Sequence, residues 1–189
     1  MLIIGITGTL GAGKGTIVDY LVRKRGFAHY SARDFLAEEI RRRGLPVNRD
    51  TMTPIANELR ETRGASYIAE QLYERALADG GNAVIESLRA PAEVEALRNK
   101  GAFTLFAIDA DPHIRYERIT KRKSTHDDIS FEKFLIDDQR EMENPEAHQQ
   151  NIAACMQMAD YTFQNNGTVE ELEDQVASVI EKLIQEHGG

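Results

Sequence analysis

The chain has 189 residues, 41% hydrophobic and 29% charged, which is enough for one well-buried core and short for two, so one domain spanning 1–189 is expected. Its 23 basic and 31 acidic residues leave a net charge of −8, which argues against a long nucleic-acid partner and points to a small polyanion instead. The longest apolar runs are far short of a membrane span, the first residues lack a signal-peptide layout, and a lone Cys155 excludes an internal disulfide and a cysteine-cluster metal site, so a soluble cytoplasmic protein with no membrane partner is expected, with Cys155 packed inside a helix.

In chain order, apolar runs alternate with amphipathic helical segments, the pattern of a parallel sheet covered on both faces. The first strand is expected at 2–6 (LIIGI), followed by a glycine-rich loop and a helix over 13–25. A strand at 27–30 (FAHY) leads into helices near 33–43, 54–63 and 66–78, with chain reversals at Gly44 and Gly80-Gly81. The third strand, 82–86 (NAVIE), precedes a helix at 91–99, and the fourth, 103–108 (FTLFAI), precedes one at 112–122. Helices at 130–142 and 150–158, a fifth strand at 161–164 (YTFQ) and a final helix at 169–186 complete the pattern. Ser31 with Asp34, and Thr168 with Glu171, read as capping boxes. Thr53-Pro54 and Asp111-Pro112 read as an N-cap followed by proline at the first helical position.

The loop after the first strand carries the strongest signal. Gly8 through Gly13 and Lys14 fit the phosphate-loop spacing G-x-x-x-x-G-K, and the loop sits between a buried strand and a helix with an apolar face at Ile17, Val18 and Leu21. Glycines at 8, 11, 13 and 15 let backbone N–H groups turn inward on an anion, the helix N-terminus adds partial positive charge, and Lys14 reaches the terminal phosphates. One irregularity stands out: Gly15 occupies the place where a Ser or Thr hydroxyl usually meets magnesium, and Thr16 comes one place late. A guanine-reading Asn-Lys-x-Asp is missing, because Asn99-Lys100-Gly101-Ala102 lacks the aspartate. Phosphoryl transfer between nucleotides needs positioning and charge neutralisation, which arginines at element ends supply.

The run Gly8-Thr9-Leu10-Gly11-Ala12-Gly13-Lys14-Gly15-Thr16 resembles the G-x-x-G-x-G-K-G-T loop of adenylate kinase and related nucleoside monophosphate kinases, where glycine likewise follows the lysine. That resemblance implies a magnesium ion held by phosphates and waters with acidic side chains behind the waters, and Thr16 on phosphate. Val84-Ile85-Glu86-Ser87-Leu88-Arg89 resembles the strand-end motif in which an acid orients magnesium waters and an arginine holds the acceptor phosphate, here Glu86 and Arg89. Arg118 and Arg122 resemble the arginine pair at the base of a kinase lid, with a short lid at 123–129. The pattern over Glu58 to Glu61, Glu86 to Arg89, Arg118 to Arg122 and Ala159 to Asn166 resembles an adenylate-kinase-related, dephospho-CoA-kinase-like family common in archaea.

The sequence departs from adenylate kinases in two places. No basic residue stands near Ala37, where an acceptor-phosphate arginine belongs, leaving Arg33 or Arg41 as substitutes, and Thr125 stands where another lid arginine is sought. Bland alternatives also stay open. Arg118 and Arg122 can pair with Glu117 and other carboxylates on a solvated helix. Arg41-Arg42-Arg43 suits a solvated helix end, and Asp127-Asp128 the N-terminus of the helix starting near Ser130. Asp34 is either the capping partner of Ser31 or an acid facing the acceptor. Asn165, Asn166 and Gly167 form either a simple turn or, by resemblance, part of the donor-adenine site.

The resemblance implies a three-layer α/β/α P-loop kinase with a parallel five-stranded sheet in the order 2-3-1-4-5 and acceptor-binding helices within 31–78. The expected activity is transfer of the γ-phosphate of ATP, with Mg2+, to a nucleoside or deoxynucleoside monophosphate. Dephospho-CoA is the alternative acceptor, and an ATP-binding regulatory module or slow ATPase the alternative class. Lys14, Arg89, Arg118, Arg122 and Asp34 are the expected catalytic residues. Gly8, Gly11, Ala12, Gly13, Lys14, Gly15, Thr16 and Asn166 are expected to bind the nucleotide, and Glu86 the metal through water. Small nucleotides are the expected partners of a monomer or homodimer.

Overall fold

The structure, a computed structural model, describes residues 1–121, 130–142 and 151–187. Five strands, β1 (Ile3–Gly8), β2 (Ala28–Ser31), β3 (Ala83–Glu86), β4 (Thr104–Asp109) and β5 (Tyr161–Gln164), form one parallel sheet in the order β2-β3-β1-β4-β5. The helices of the described residues are α1 (Lys14–Arg25), α2 (Ala32–Arg42), α3 (Arg49–Arg63), α4 (Tyr67–Asp79), α5 (Pro91–Lys100), α6 (Pro112–Lys121), α7 (Phe131–Met142), α8 (Ile152–Gln157) and α9 (Val169–His187). This is the α/β P-loop kinase fold in the expected strand order.

The apolar runs make strands because both faces of the central three are covered. Successive side chains point to opposite faces, and the core divides accordingly. Ile3, Ile85 and Leu105 pack with α2, α3, α4 and α5 on one face. Ile4, Ile6, Val84, Phe106 and Ile108 pack with α1 and α9 on the other. Cys155 of α8 belongs to the first cluster and is fully buried, and burial, followed by the nearby charge of Glu93, pushes its thiol up to about 12. The thiol therefore packs as an apolar group and is not a nucleophile.

Helix boundaries follow their caps. Ser31 accepts from the Asp34 N–H at 3.2 Å, Asp111 from the His113 N–H at 2.8 Å, and Thr168 and Glu171 cap each other at 2.8 and 3.2 Å. The expected start of α3 at Thr53-Pro54 is corrected. Asn48 is the N-cap, its side chain accepting from the Thr51 N–H at 3.1 Å while the Thr51 hydroxyl receives the Asn48 N–H at 3.2 Å. Pro54 lies inside the helix, in its second turn, where its ring forfeits the bond to the Asp50 carbonyl and crowds that oxygen. The short helix α8 is narrower than the expected 150–158 because Asn151 caps it, accepting from Ala154 N–H at 2.9 Å.

Among the described residues no helix is long and apolar enough to cross a membrane. The order of strands reverses around β1, so a crevice opens beyond the C-terminal ends of β1, β3 and β4, where open parallel sheets bind their ligands. The expected lid, 123–129, with Arg122, Thr125, Asp127 and Asp128, lies outside the described residues.

Candidate active site

At the mouth of the crevice β1 ends at Gly8 and α1 begins at Lys14, with the loop folded around the helix N-terminus. Gly13, with φ of 108°, caps α1 through its carbonyl, which accepts the Thr16 and Ile17 N–H groups at 3.0 and 3.4 Å. A Cβ at Gly13 would stand 2.3 Å from Asn165 Nδ2, so both backbone angle and space require glycine there. At Gly15 the opposite holds, since an added Cβ would meet nothing within 4 Å. The missing hydroxyl after Lys14 is therefore not a steric exclusion.

Lys14 curls over its own loop, donating from Nζ to the Gly8 and Thr9 carbonyls at 2.8 and 2.9 Å. Its pKa is pushed down to about 8, first by burial, then by the Arg89 charge and more weakly by Arg115, while Glu141 and Glu86 pull it back up. Loss of water penalises the ammonium, and an arriving phosphate chain would restore what burial removes. The loop itself is pinned from below. Thr9, almost fully buried, donates its hydroxyl to Asp109 Oδ1 at 2.7 Å, and the same oxygen receives the Ala110 N–H at 2.9 Å.

A second support comes from α6 and α7. Arg115 is buried and forks onto Asp138, with Nη1 and Nη2 at 2.6 and 2.8 Å from the two carboxylate oxygens. It also donates to the Ala110 carbonyl at 3.0 Å and to the Leu10 carbonyl at 3.3 Å, tying helix, loop and α7 together. One turn further along α6, Arg118 is half-buried and turned to Asn165, whose Oδ1 lies 3.5 Å from Arg118 Nη2. Asn165 is itself buried and donates Nδ2 to the Ala12 carbonyl at 2.7 Å. Arg118 Nη1 is buried and, among the described residues, has no hydrogen-bond partner. A buried guanidinium nitrogen without an acceptor is costly, and a phosphate oxygen would satisfy it. The alternative partner Glu117 is taken by Lys121 at 3.3 Å.

Across the crevice β3 ends at Glu86, whose Oε2 lies 2.8 Å from His29 Nε2 on β2. The following turn is tight: Ser87 has φ of 68°, the Leu88 N–H donates to the Ile6 carbonyl at 3.0 Å, and the Asn151 N–H donates to the Arg89 carbonyl at 2.8 Å. Glu86 and Arg89 therefore flank a turn anchored to the loop's own strand, and both act electrostatically on Lys14.

The structure thus brings Gly8, Gly11, Ala12, Gly13, Lys14, Gly15, Thr16, Glu86, Arg89 and Arg118 to one end of the sheet. Asp34 lies exposed in the first turn of α2, with its N–H on Ser31. Ala37 is buried and apolar, as its sequence implies. Asn166 accepts the Asp111 N–H at 2.8 Å, so of the adjacent pair it is Asn165 whose side chain touches the loop. Asp109, Arg115, Asp138 and Glu141 had no local signature, because the groups they act on lie elsewhere in the sequence, with a strand-end position the available signal for Asp109; Asn165, expected within a turn or by the donor base, instead braces the phosphate loop.

Residues 4–149 match the family described as "AAA domain", and the chain belongs to that family. It is 31% identical to a UPF0200 protein of Pyrobaculum aerophilum over 183 residues, covering 96% of this chain and 98% of that one. A UPF0200 protein of Thermococcus kodakarensis is 32% identical over 191 residues, covering 97% and 98% of the two chains. Among solved structures, shikimate kinase from Bacteroides thetaiotaomicron superposes with a TM-score of 0.58 at 17% identity, covering 95% of this chain and 98% of that one. A gluconokinase from Sinorhizobium meliloti gives 0.55 at 15% identity, covering 98% and 97%. These likenesses show the P-loop kinase fold.

Proposed function

We propose that this AAA-family member transfers the γ-phosphate of ATP to a nucleoside or deoxynucleoside monophosphate. The observation that carries the reading is that the turn between Glu86 and Arg89 is tied to the phosphate loop's own strand, the Leu88 N–H donating to the Ile6 carbonyl at 3.0 Å, which sets both residues at the end of the sheet where Lys14 begins α1. A donor phosphate on the loop and an acceptor phosphate on Arg89 would then meet between them, and holding the two in line is most of the catalysis such a transfer needs.

In this reading the loop amides and Lys14 hold the β- and γ-phosphates, with Thr16 on phosphate and Gly8 to Gly15 close enough for backbone contact. Arg118, together with Arg122, neutralises charge on the moving phosphoryl group. The unpaired Arg118 Nη1 fits a phosphate oxygen. Arg89 grips the acceptor phosphate through its two-pronged guanidinium. An acceptor phosphate oxygen bonds to the γ-phosphorus while the bond to the bridging oxygen breaks, and ADP leaves. Asn166 lies beside the donor base, and Asp34 faces the acceptor. Glu86 would order the waters of a magnesium ion carried by the phosphates. Bound magnesium supplies neutralisation of the phosphate oxygens.

Parallel titrations of wild type and Arg89→Met with ATP and with nucleoside monophosphates, deoxynucleoside monophosphates and dephospho-CoA test the assignment. A raised acceptor KM with nearly intact ATP affinity is expected. Equal acceptor affinity in both proteins would make Arg89 structural, and turnover with dephospho-CoA alone would replace the acceptor class.

A further inference from the structure

Glu93 is a carboxylate where a helix of this kind needs none so deep. It lies in the first turn of α5 and is 7% exposed. Its Oε2 accepts two consecutive backbone N–H groups, Arg89 at 2.9 Å and Ala90 at 3.1 Å. An ordinary first-turn glutamate would stay at the surface and reach the cap residue alone; this one reaches one residue further back, into the turn that carries Arg89. Burial raises its pKa, opposed first by those two backbone hydrogen bonds and then by the charges of Arg60 and Arg89. The turn so gripped is the one with Ser87 in the left-handed region, a conformation that persists only where surrounding contacts hold it. Further backbone anchors of the turn are the Leu88 N–H, which donates to the Ile6 carbonyl, and the Arg89 carbonyl, which accepts the Asn151 N–H.

We propose that Glu93 is a positioning residue that fixes Arg89 for the acceptor, by clamping the Arg89 and Ala90 amides from inside the core. This rests on the reading of Arg89 as the acceptor-phosphate grip. The buried carboxyl group sets the backbone that carries Arg89. A side chain at position 93 that accepts poorly lets the strained turn relax, and the arginine's direction relaxes with it.

The test is a double-mutant cycle on acceptor KM, using the full chain with the acceptor that wild type turns over best. Glu93→Gln keeps the shape and one acceptor oxygen, so the variant stays close to native packing, and circular dichroism with ATP binding checks its fold. Glu93→Gln, whose one amide oxygen can take both bonds, is expected to keep acceptor KM within about threefold of wild type, while Glu93→Ala raises it by about tenfold with ATP affinity within about twofold. In the Arg89→Met background Glu93→Ala should add no further change to acceptor KM, which a purely structural cap would not produce. Full additivity, wild-type acceptor KM in folded Glu93→Ala, or a loss in Glu93→Gln as large as that in Glu93→Ala, overturns the positioning role while leaving the kinase reading intact. A wild type that phosphorylates no acceptor overturns the kinase reading, and this inference with it.

Discussion

Arg118 and Asn165, 47 residues apart in sequence, meet beside the phosphate loop, with Arg118 Nη2 3.5 Å from Asn165 Oδ1, while Asn165 Nδ2 holds the Ala12 carbonyl at 2.7 Å. The asparagine thus braces both the loop and the arginine, whose Nη1 atom is buried without a partner among the described residues. Arg118→Met preserves the stem and removes the fork. Turnover is expected to fall by about two orders of magnitude, the scale of losing one charge-stabilising donor, with thermal stability unchanged or raised because a buried unpaired donor is gone. Near-normal turnover would return Arg118 to the role of a solvated helix residue.

Lys14 is expected to make nucleotide binding proton-linked. Its folded pKa, about 8, lies below the ordinary 10.5, so the folded state releases this proton before the unfolded one does. The sign follows: burying Lys14 costs stability in full below about pH 8, and that cost fades as pH rises towards the unfolded value. Bound phosphate favours the ammonium, so ATP binding at about pH 8.5 is expected to take up a fraction of a proton. Calorimetric titrations in buffers of different ionisation heats measure it. A binding heat independent of buffer, or equal uptake in Lys14→Met, would contradict the assignment.

The positions of the strands were readable because buried parallel strands are written as apolar runs: β5 matches its expected range, and the expected β1 and β2 are displaced by one or two residues at their ends. The phosphate loop was readable because its chemistry lies in one local stretch. The start of α3 was not, since Thr53-Pro54 carries the louder start signal while the cap is the quieter Asn48 with Thr51. The struts of the site were hidden for another reason. Arg115 with Asp138, Thr9 with Asp109 and Asn165 with Ala12 are separated by 23, 100 and 153 residues, and one sequence does not say which distant polar groups face each other.

The Arg115–Asp138 fork is expected to govern stability. Both partners are largely buried, and deleting Asp138 leaves the Arg115 guanidinium in the interior with the more distant Asp109 carboxylate, 3.8 Å away, to offset its charge. Asp138→Ala should lower unfolding free energy by about 3 kcal/mol or more, read from denaturant midpoints at constant m-value. Arg115 also holds the Leu10 carbonyl, so ATP affinity should fall in parallel. A loss below about 1 kcal/mol would mean that the pair is solvated like a surface bridge.

Gly15 offers an inverse test. Space is open around an added Cβ and no positive φ is required, so Gly15→Ser should fold and gain about 0.5 kcal/mol from helix propensity. The new hydroxyl stands where phosphate loops usually place one for magnesium, and half-maximal turnover is expected at lower magnesium concentration. A loss of stability would show that the loop needs glycine at 15 for its backbone, and an unchanged magnesium requirement that the ion sits elsewhere.

Phosphate is expected to move from ATP to a second nucleotide. The most direct measurement is to follow a radiolabel placed in the γ-phosphate of ATP, with magnesium and a panel of nucleoside monophosphates, deoxynucleoside monophosphates and dephospho-CoA, in wild type and Lys14→Ala. Label appearing on a monophosphate as its diphosphate in wild type, and reduced by orders of magnitude in folded Lys14→Ala, is the predicted result. Label that stays on ATP or emerges only as free phosphate with every acceptor would contradict it.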